Sequence, residues 1–259
     1  MRMQLQAPIP LRRARTDVAR PHPVGSKAIV AARLVGAAVV LWGLLALLGM
    51  LLTHVLNTGS AHRADLRVDL WFAAHRTGLW NDVTLVGTSM AQTQTAIAVT
   101  LVVVLFLRWR LGRWYESLVL ITVMAGELLI FFAVTATVHR PRPPVARLDV
   151  APPTSSFPSG HTAAAVALYG CIAILVLWIW GRRPATRVAV AVLCFIPVFV
   201  GLSRLYRGMH YPSDVLAGAL TGGLWLLVVI STLLLRRDAR RPDARRGARR
   251  RGRDGLAPR

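Results

Sequence analysis

The sequence predicts an all-α, polytopic membrane bundle with about six transmembrane helices, and three observations carry that expectation. The 259 residues are 54% hydrophobic and only 17% charged, whereas about a quarter of a soluble domain is charged. Mean hydropathy is +0.50, and several apolar runs approach or exceed the roughly 20 residues that a helix needs to cross a hydrocarbon core. The net charge of +21 lies almost wholly outside those runs. A soluble nucleic-acid binder would carry the charge without the runs, so no nucleic-acid partner is expected.

In chain order, a basic arm (1–33) precedes the first run at 34–56, which is too long and too far from the start for a cleaved signal peptide. It reads as a retained anchor. Residues 65–89, with Leu66, Trp71, Leu79 and Trp80 among polar neighbours, are too polar to cross and read as short interfacial helices. The further runs are 91–107, 118–138, 162–180, 188–205 and 215–235. Together, 34–235 form the membrane domain, and 236–259 read as a disordered basic tail serving as an orientation signal.

Arginine and lysine are retained on the cytoplasmic side of a membrane. The arm, the segments around Arg108–Arg113 and Arg182–Arg187, and the tail hold nearly all of the excess positive charge. Both termini are therefore expected in the cytoplasm of a plasma-membrane, multi-pass protein. Trp109, Trp114, Trp178 and Trp180 fall at the expected inner boundary. All basic residues except Lys27 are arginine, a bias that fits a GC-rich bacterial genome. Cys171 and Cys194 lie in apolar runs without metal-type spacing, so neither a disulfide framework nor a metal site is expected.

Three polar segments stand out because this topology gathers them at the outer ends of the third to sixth runs. Arg140–Pro144 is a stiff stretch whose Arg142 offers a planar fork to phosphate oxygens. Pro158–His161 opens a long apolar helix, where Ser159 caps, Gly160 permits close backbone approach, and free amides favour an anion. In the third segment, Arg204 precedes His210 and Asp214, spaced i, i+4. On one helix the carboxylate would reach one imidazole nitrogen and leave the other free as nucleophile or base. No acidic cluster for Mg²⁺ accompanies them, so protein groups are expected to stabilise the transferring charge, without cofactor or metal.

Arg142-Pro143, Pro158-Ser159-Gly160-His161 and Ser203-Arg204 with His210 and Asp214 resemble the three-part signature of the PAP2 family of membrane phosphatases, whose site is shared by vanadium-dependent haloperoxidases. The resemblance implies a metal-independent lipid phosphatase acting at the extracytoplasmic face through a phosphohistidine. It makes His210 the nucleophile, Asp214 its orienting group and His161 the general acid. Arg142, Arg204, Ser159 and Gly160 would bind phosphate. Thr135 stands where the family has lysine, its hydroxyl a candidate phosphate contact, with Arg140 or His139 as possible replacements for the missing charge. Polyprenyl diphosphate is the favoured substrate, with phosphatidic acid and phosphatidylglycerophosphate next. The alternatives are a vanadate-binding haloperoxidase and a non-catalytic binder of anionic headgroups. Glu127, deep within the third run, reads as a hydrogen-bonded packing group, and Thr154, Ser155 and Ser156 as loop.

Overall fold

The computed structural model describes residues 24–234. Residues 1–23 of the basic arm and the whole of the tail named above lie outside the described residues. Within them the chain forms eight α-helices: α1 (Val24–Met50), α2 (Ser60–Ala74), α3 (Gly78–Ser89), α4 (Thr93–Leu111), α5 (Tyr115–Thr137), α6 (Gly160–Trp180), α7 (Pro184–Tyr206) and α8 (Pro212–Val229). A π-helical turn continues α1 through Leu51–Val55, and another continues α8 through Ile230–Leu234. Six of these helical stretches are long and apolar enough to span a membrane; α2 and α3 are not among them.

The ends follow local chemistry. Thr77 caps α3 by accepting from the Trp80 amide at 3.3 Å. Gly112, at φ 67°, and Gly181, at φ 71°, end α4 and α6 in the left-handed region that a side chain resists. Pro184 and Pro212 begin α7 and α8 at positions where the missing N–H costs no helical bond.

Helix α6 lies at the centre, packed against α5, α7 and α8. Lipid tails are as apolar as leucine, so close packing replaces the hydrophobic effect in holding such helices together. Its buried Ala163, Ala165 and Ala167 keep the surface thin. On α8, a Cβ at Gly218 would stand 2.4 Å from the Ser159 carbonyl oxygen, and one at Gly222 would stand 2.3 Å from that of Ala163. Only glycine lets the backbones come this near. On the other side, the Trp225 indole lies over Gly126 and donates to the Val123 carbonyl at 3.0 Å, fastening α8 to α5.

Short connections at 112–114 and 181–183 make α4/α5 and α6/α7 antiparallel hairpins. The α5–α6 and α7–α8 connections therefore share the opposite end of the bundle, away from the arginines of those short loops. Helices α2 and α3 pack on α7.

Candidate functional site

Helix α5 stops at Thr137, and the next 22 residues run as an irregular connection to α6. This segment folds back on itself: the Ser156 amide donates to the Arg140 carbonyl at 2.9 Å, and Ser155 Oγ accepts from the Arg140 and Phe157 amides, each at 3.1 Å. Phe157, fully buried, seats on Gly49 of α1. Ser156 is thereby fixed beneath the α7–α8 connection, where His210 sits.

His210 is buried, and its Nδ1 lies 2.7 Å from the Ser156 carbonyl oxygen. That acceptor holds the proton on Nδ1 and leaves the Nε2 lone pair free. Burial, reinforced by the charges of Arg204 and Arg142, keeps the imidazole pKa well below its ordinary 6.5, against the opposing pull of the Ser156 carbonyl. The ring is neutral.

The expected His210–Asp214 bond is replaced by a different arrangement. His210 stands in the connection, Tyr211 is extended at ψ 155°, and α8 starts at Pro212, so the two residues do not share a helical face. Asp214 instead accepts from Arg140 at 2.5 Å, from Ser156 Oγ at 2.5 Å and from the Tyr211 amide at 3.0 Å. It is linked to His210 through Ser156 and through the amide of the next residue, Tyr211, not by a direct bond to the imidazole.

Arg142, half-buried, donates to the Met209 carbonyl at 2.8 Å and so braces the His210 loop. Arg204 donates to Thr88 Oγ1 at 2.5 Å and to Asp149 at 2.9 Å, while its buried Nε has no partner among the described residues. Burial alone would raise the Asp149 carboxyl, but hydrogen bonds and charge from Arg207 and Arg204 hold it below the ordinary range. Gly160 begins α6, with Phe131 standing 2.8 Å from where a Cβ would be. His161 follows on the first turn, without a hydrogen bond among the described residues.

These groups share one space. Arg142, Gly160, His161, Arg204 and His210 line the polar end of a cavity of about 1040 Å³, at the top of the usual ligand-site range. The rest of the cavity runs between α4 and α5 along Ile97, Leu101, Met124 and Leu128.

Two expected phosphate contacts are not brought to it. Ser159 is fully buried, with its hydroxyl 3.0 Å from that of Thr162. Thr135, one turn beyond Phe131, spends its hydroxyl on the Phe132 carbonyl at 3.2 Å and does not line the cavity; its short side chain lacks the reach of a lysine. Nor does Arg140 supply the missing charge. It is buried between Asp65 at 3.0 Å and Asp214, over the Tyr211 ring at 4.4 Å. His139 is exposed and also stands off the cavity.

Four residues around the site lie outside the expected site: the sequence reads Ser156 as loop and assigns no role to Asp149, Asp65 or Asp69. Ser156 and Asp149 hold His210 and Arg204, and Asp65 and Asp69 of α2 approach Arg140 from outside the six spans. The i, i+4 spacing of Asp65 and Asp69 on an otherwise amphipathic helix was the one available sign of an inward acidic face.

Fold and pocket together define a helical membrane protein with a guanidinium- and imidazole-lined pocket that opens onto an apolar slot. Residues 116–238 match the PAP2 superfamily. The chain is 31% identical over 118 residues to phosphatidylglycerophosphatase B of Bacillus subtilis, covering 45% of this chain and 58% of that one. It is 40% identical over 73 residues to lipid A 1-phosphatase of Rhizobium etli, covering 28% of this chain and 27% of that one. The chain thus spans less than two thirds of either curated relative. Its fold is that of the crystal structure described as the first transmembrane PAP2 type phosphatidylglycerolphosphate phosphatase, from Bacillus subtilis. That similarity has a TM-score of 0.65 and 24% identity, covering 73% of this chain and 94% of the other.

Proposed function

We propose that this protein is an integral membrane phosphatase that hydrolyses a lipid phosphate or diphosphate through a phosphohistidine at His210. The observation that carries the reading is the His210 ring, proton-fixed by Ser156 and facing a cavity shared with two arginines and a second histidine. The Nε2 lone pair attacks phosphorus as the bond to the lipid oxygen breaks, and His161 protonates that departing oxygen. Water then attacks the phosphohistidine, giving a proton to His161, and the P–N electron pair returns to Nε2. Arg142, Arg204 and the amide end of α6 at Gly160 meet the phosphate charge, so the reading calls for no metal ion.

The apolar slot suits a hydrocarbon tail. Candidate substrates are polyprenyl diphosphate, phosphatidic acid and phosphatidylglycerophosphate. In this reading the arginine-rich connections, the arm (1–33) and the tail (236–259) are cytoplasmic, and the site and the α2–α3 region (65–89) face outward. The test is phosphate release from phosphatidic acid and polyprenyl diphosphate by detergent-purified protein in excess EDTA. Release that persists in EDTA and disappears in His210→Ala is expected; equal release by both proteins would overturn the reading.

A further inference from the structure

The cavity contains one carboxyl that this chemistry leaves unused. Glu127 of α5 is only 3% exposed, lines the cavity, and makes no hydrogen bond or ion pair among the described residues. The hydrogen-bonded packing role expected from its depth is therefore absent. Burying a polar group without a partner is costly, so a carboxyl aimed into an apolar slot is suited to a polar group that arrives with the ligand.

Its depth indicates which group. Phe131 packs at Gly160, beside His161, and so marks the floor of the phosphate end. Glu127 is one turn further in, about 6 Å at 1.5 Å of rise per residue. A lipid with its phosphate among Arg142, Arg204 and His210 and its tail in the slot places the atoms just beyond its headgroup at that level. In a diacylglycerol phosphate those atoms are the acyl ester carbonyls, hydrogen-bond acceptors to which the O–H of a neutral carboxylic acid donates. In a polyprenyl diphosphate they are hydrocarbon.

We infer that Glu127 is a specificity-determining residue that hydrogen-bonds the acyl ester region of a glycerolipid phosphate, so that the enzyme prefers diacylglycerol phosphates to polyprenyl diphosphates. This rests on the phosphatase reading above. It reverses the ranking drawn from the sequence, because a carboxyl facing bare isoprenoid would stay unpartnered.

The test compares dioleoyl phosphatidic acid with its ether-linked analogue, which has the same chains without ester carbonyls, and with polyprenyl diphosphate. Wild type is expected to show kcat/KM about tenfold higher on the ester than on the ether, the scale of one hydrogen bond. Glu127→Leu loses that factor on the ester alone, and Glu127→Gln, which keeps a donor, retains it. Equal wild-type rates on ester and ether overturn the inference whatever the variants do, as does a Glu127→Leu loss that is uniform across all three lipids. Absence of release from every lipid, by wild type and His210→Ala alike, strikes at the phosphatase reading itself.

Discussion

The Ser156 carbonyl oxygen lies 2.7 Å from His210 Nδ1, while the hydroxyl of the same serine lies 2.5 Å from Asp214. One residue thus orients the imidazole with its backbone and ties it, through its side chain, to the buried Arg140–Asp214 pair. Because the orienting acceptor is a carbonyl, the imidazole gains no anionic partner to raise its pKa.

The pH profile follows from that environment. Burial and the two arginines lower the His210 pKa below 6.5, so the neutral form, the one the proposed chemistry requires, persists into acid. The acidic limb of kcat/KM, which reports the free enzyme, is expected below pH 6.5. Arg204→Gln removes one of the depressing charges and moves that limb upward, besides lowering the rate.

Asp214 is expected to serve stability at least as much as chemistry. Removing one partner of a buried ion pair leaves the other charge stranded, at a cost of about 3–5 kcal/mol. Asp214→Ala should therefore lower the melting temperature in detergent as well as activity, by freeing Arg140 and the Ser156 hydroxyl. His210→Ala should abolish activity with little change in melting temperature.

Asp69 supplies a separate pH dependence. Both of its carboxyl oxygens are buried without a partner among the described residues. Burial, joined by the charges of Asp65 and Asp214 and opposed by Arg140, pushes its pKa from 3.8 up to about 8. The folded state therefore holds a proton that the unfolded chain has released, and this contribution to stability fades as pH rises from about 4 through about 8. Asp69→Asn has no proton to lose. Its melting temperature relative to wild type should rise between pH 5 and pH 9, by more than about 3 °C.

Glycine spacing on α8 positions the amide end of α6. Gly218→Ala drives a Cβ into the Ser159 backbone, whereas the nearest atom to a Cβ at Gly223 is Val166 Cγ1 at 3.8 Å. Activity should fall at least about tenfold in Gly218→Ala and stay near wild type in Gly223→Ala, measured as phosphate release at equal folded protein.

The spans were legible because hydropathy acts on every residue of a long segment. The first helix still begins well before residue 34, since Lys27 and Arg33 extend an end where long basic side chains reach water. Arg142, Gly160, His161, Arg204 and His210 were legible through their motifs and do share one cavity. The His210–Asp214 spacing misled because i, i+4 has meaning only inside one helix, and Pro212 starts α8 between them. Contacts such as Arg204 with Thr88, or His210 with the Ser156 carbonyl, arise from how an irregular connection folds across the bundle. No periodicity encodes them, and a backbone carbonyl has no residue type to signal its role.

Covalent catalysis by His210, as proposed, leaves a phosphorylated imidazole during turnover. The direct measurement is a rapid alkaline quench of detergent-purified protein during turnover of phosphatidic acid carrying radiolabelled phosphate, followed by peptide mapping. An acid-labile label is expected on the peptide containing His210, absent in His210→Ala and accumulating in His161→Ala when a lipid with a good leaving group is supplied. Steady phosphate release with no protein-bound label at any quench time, or with label on a different residue, would contradict it.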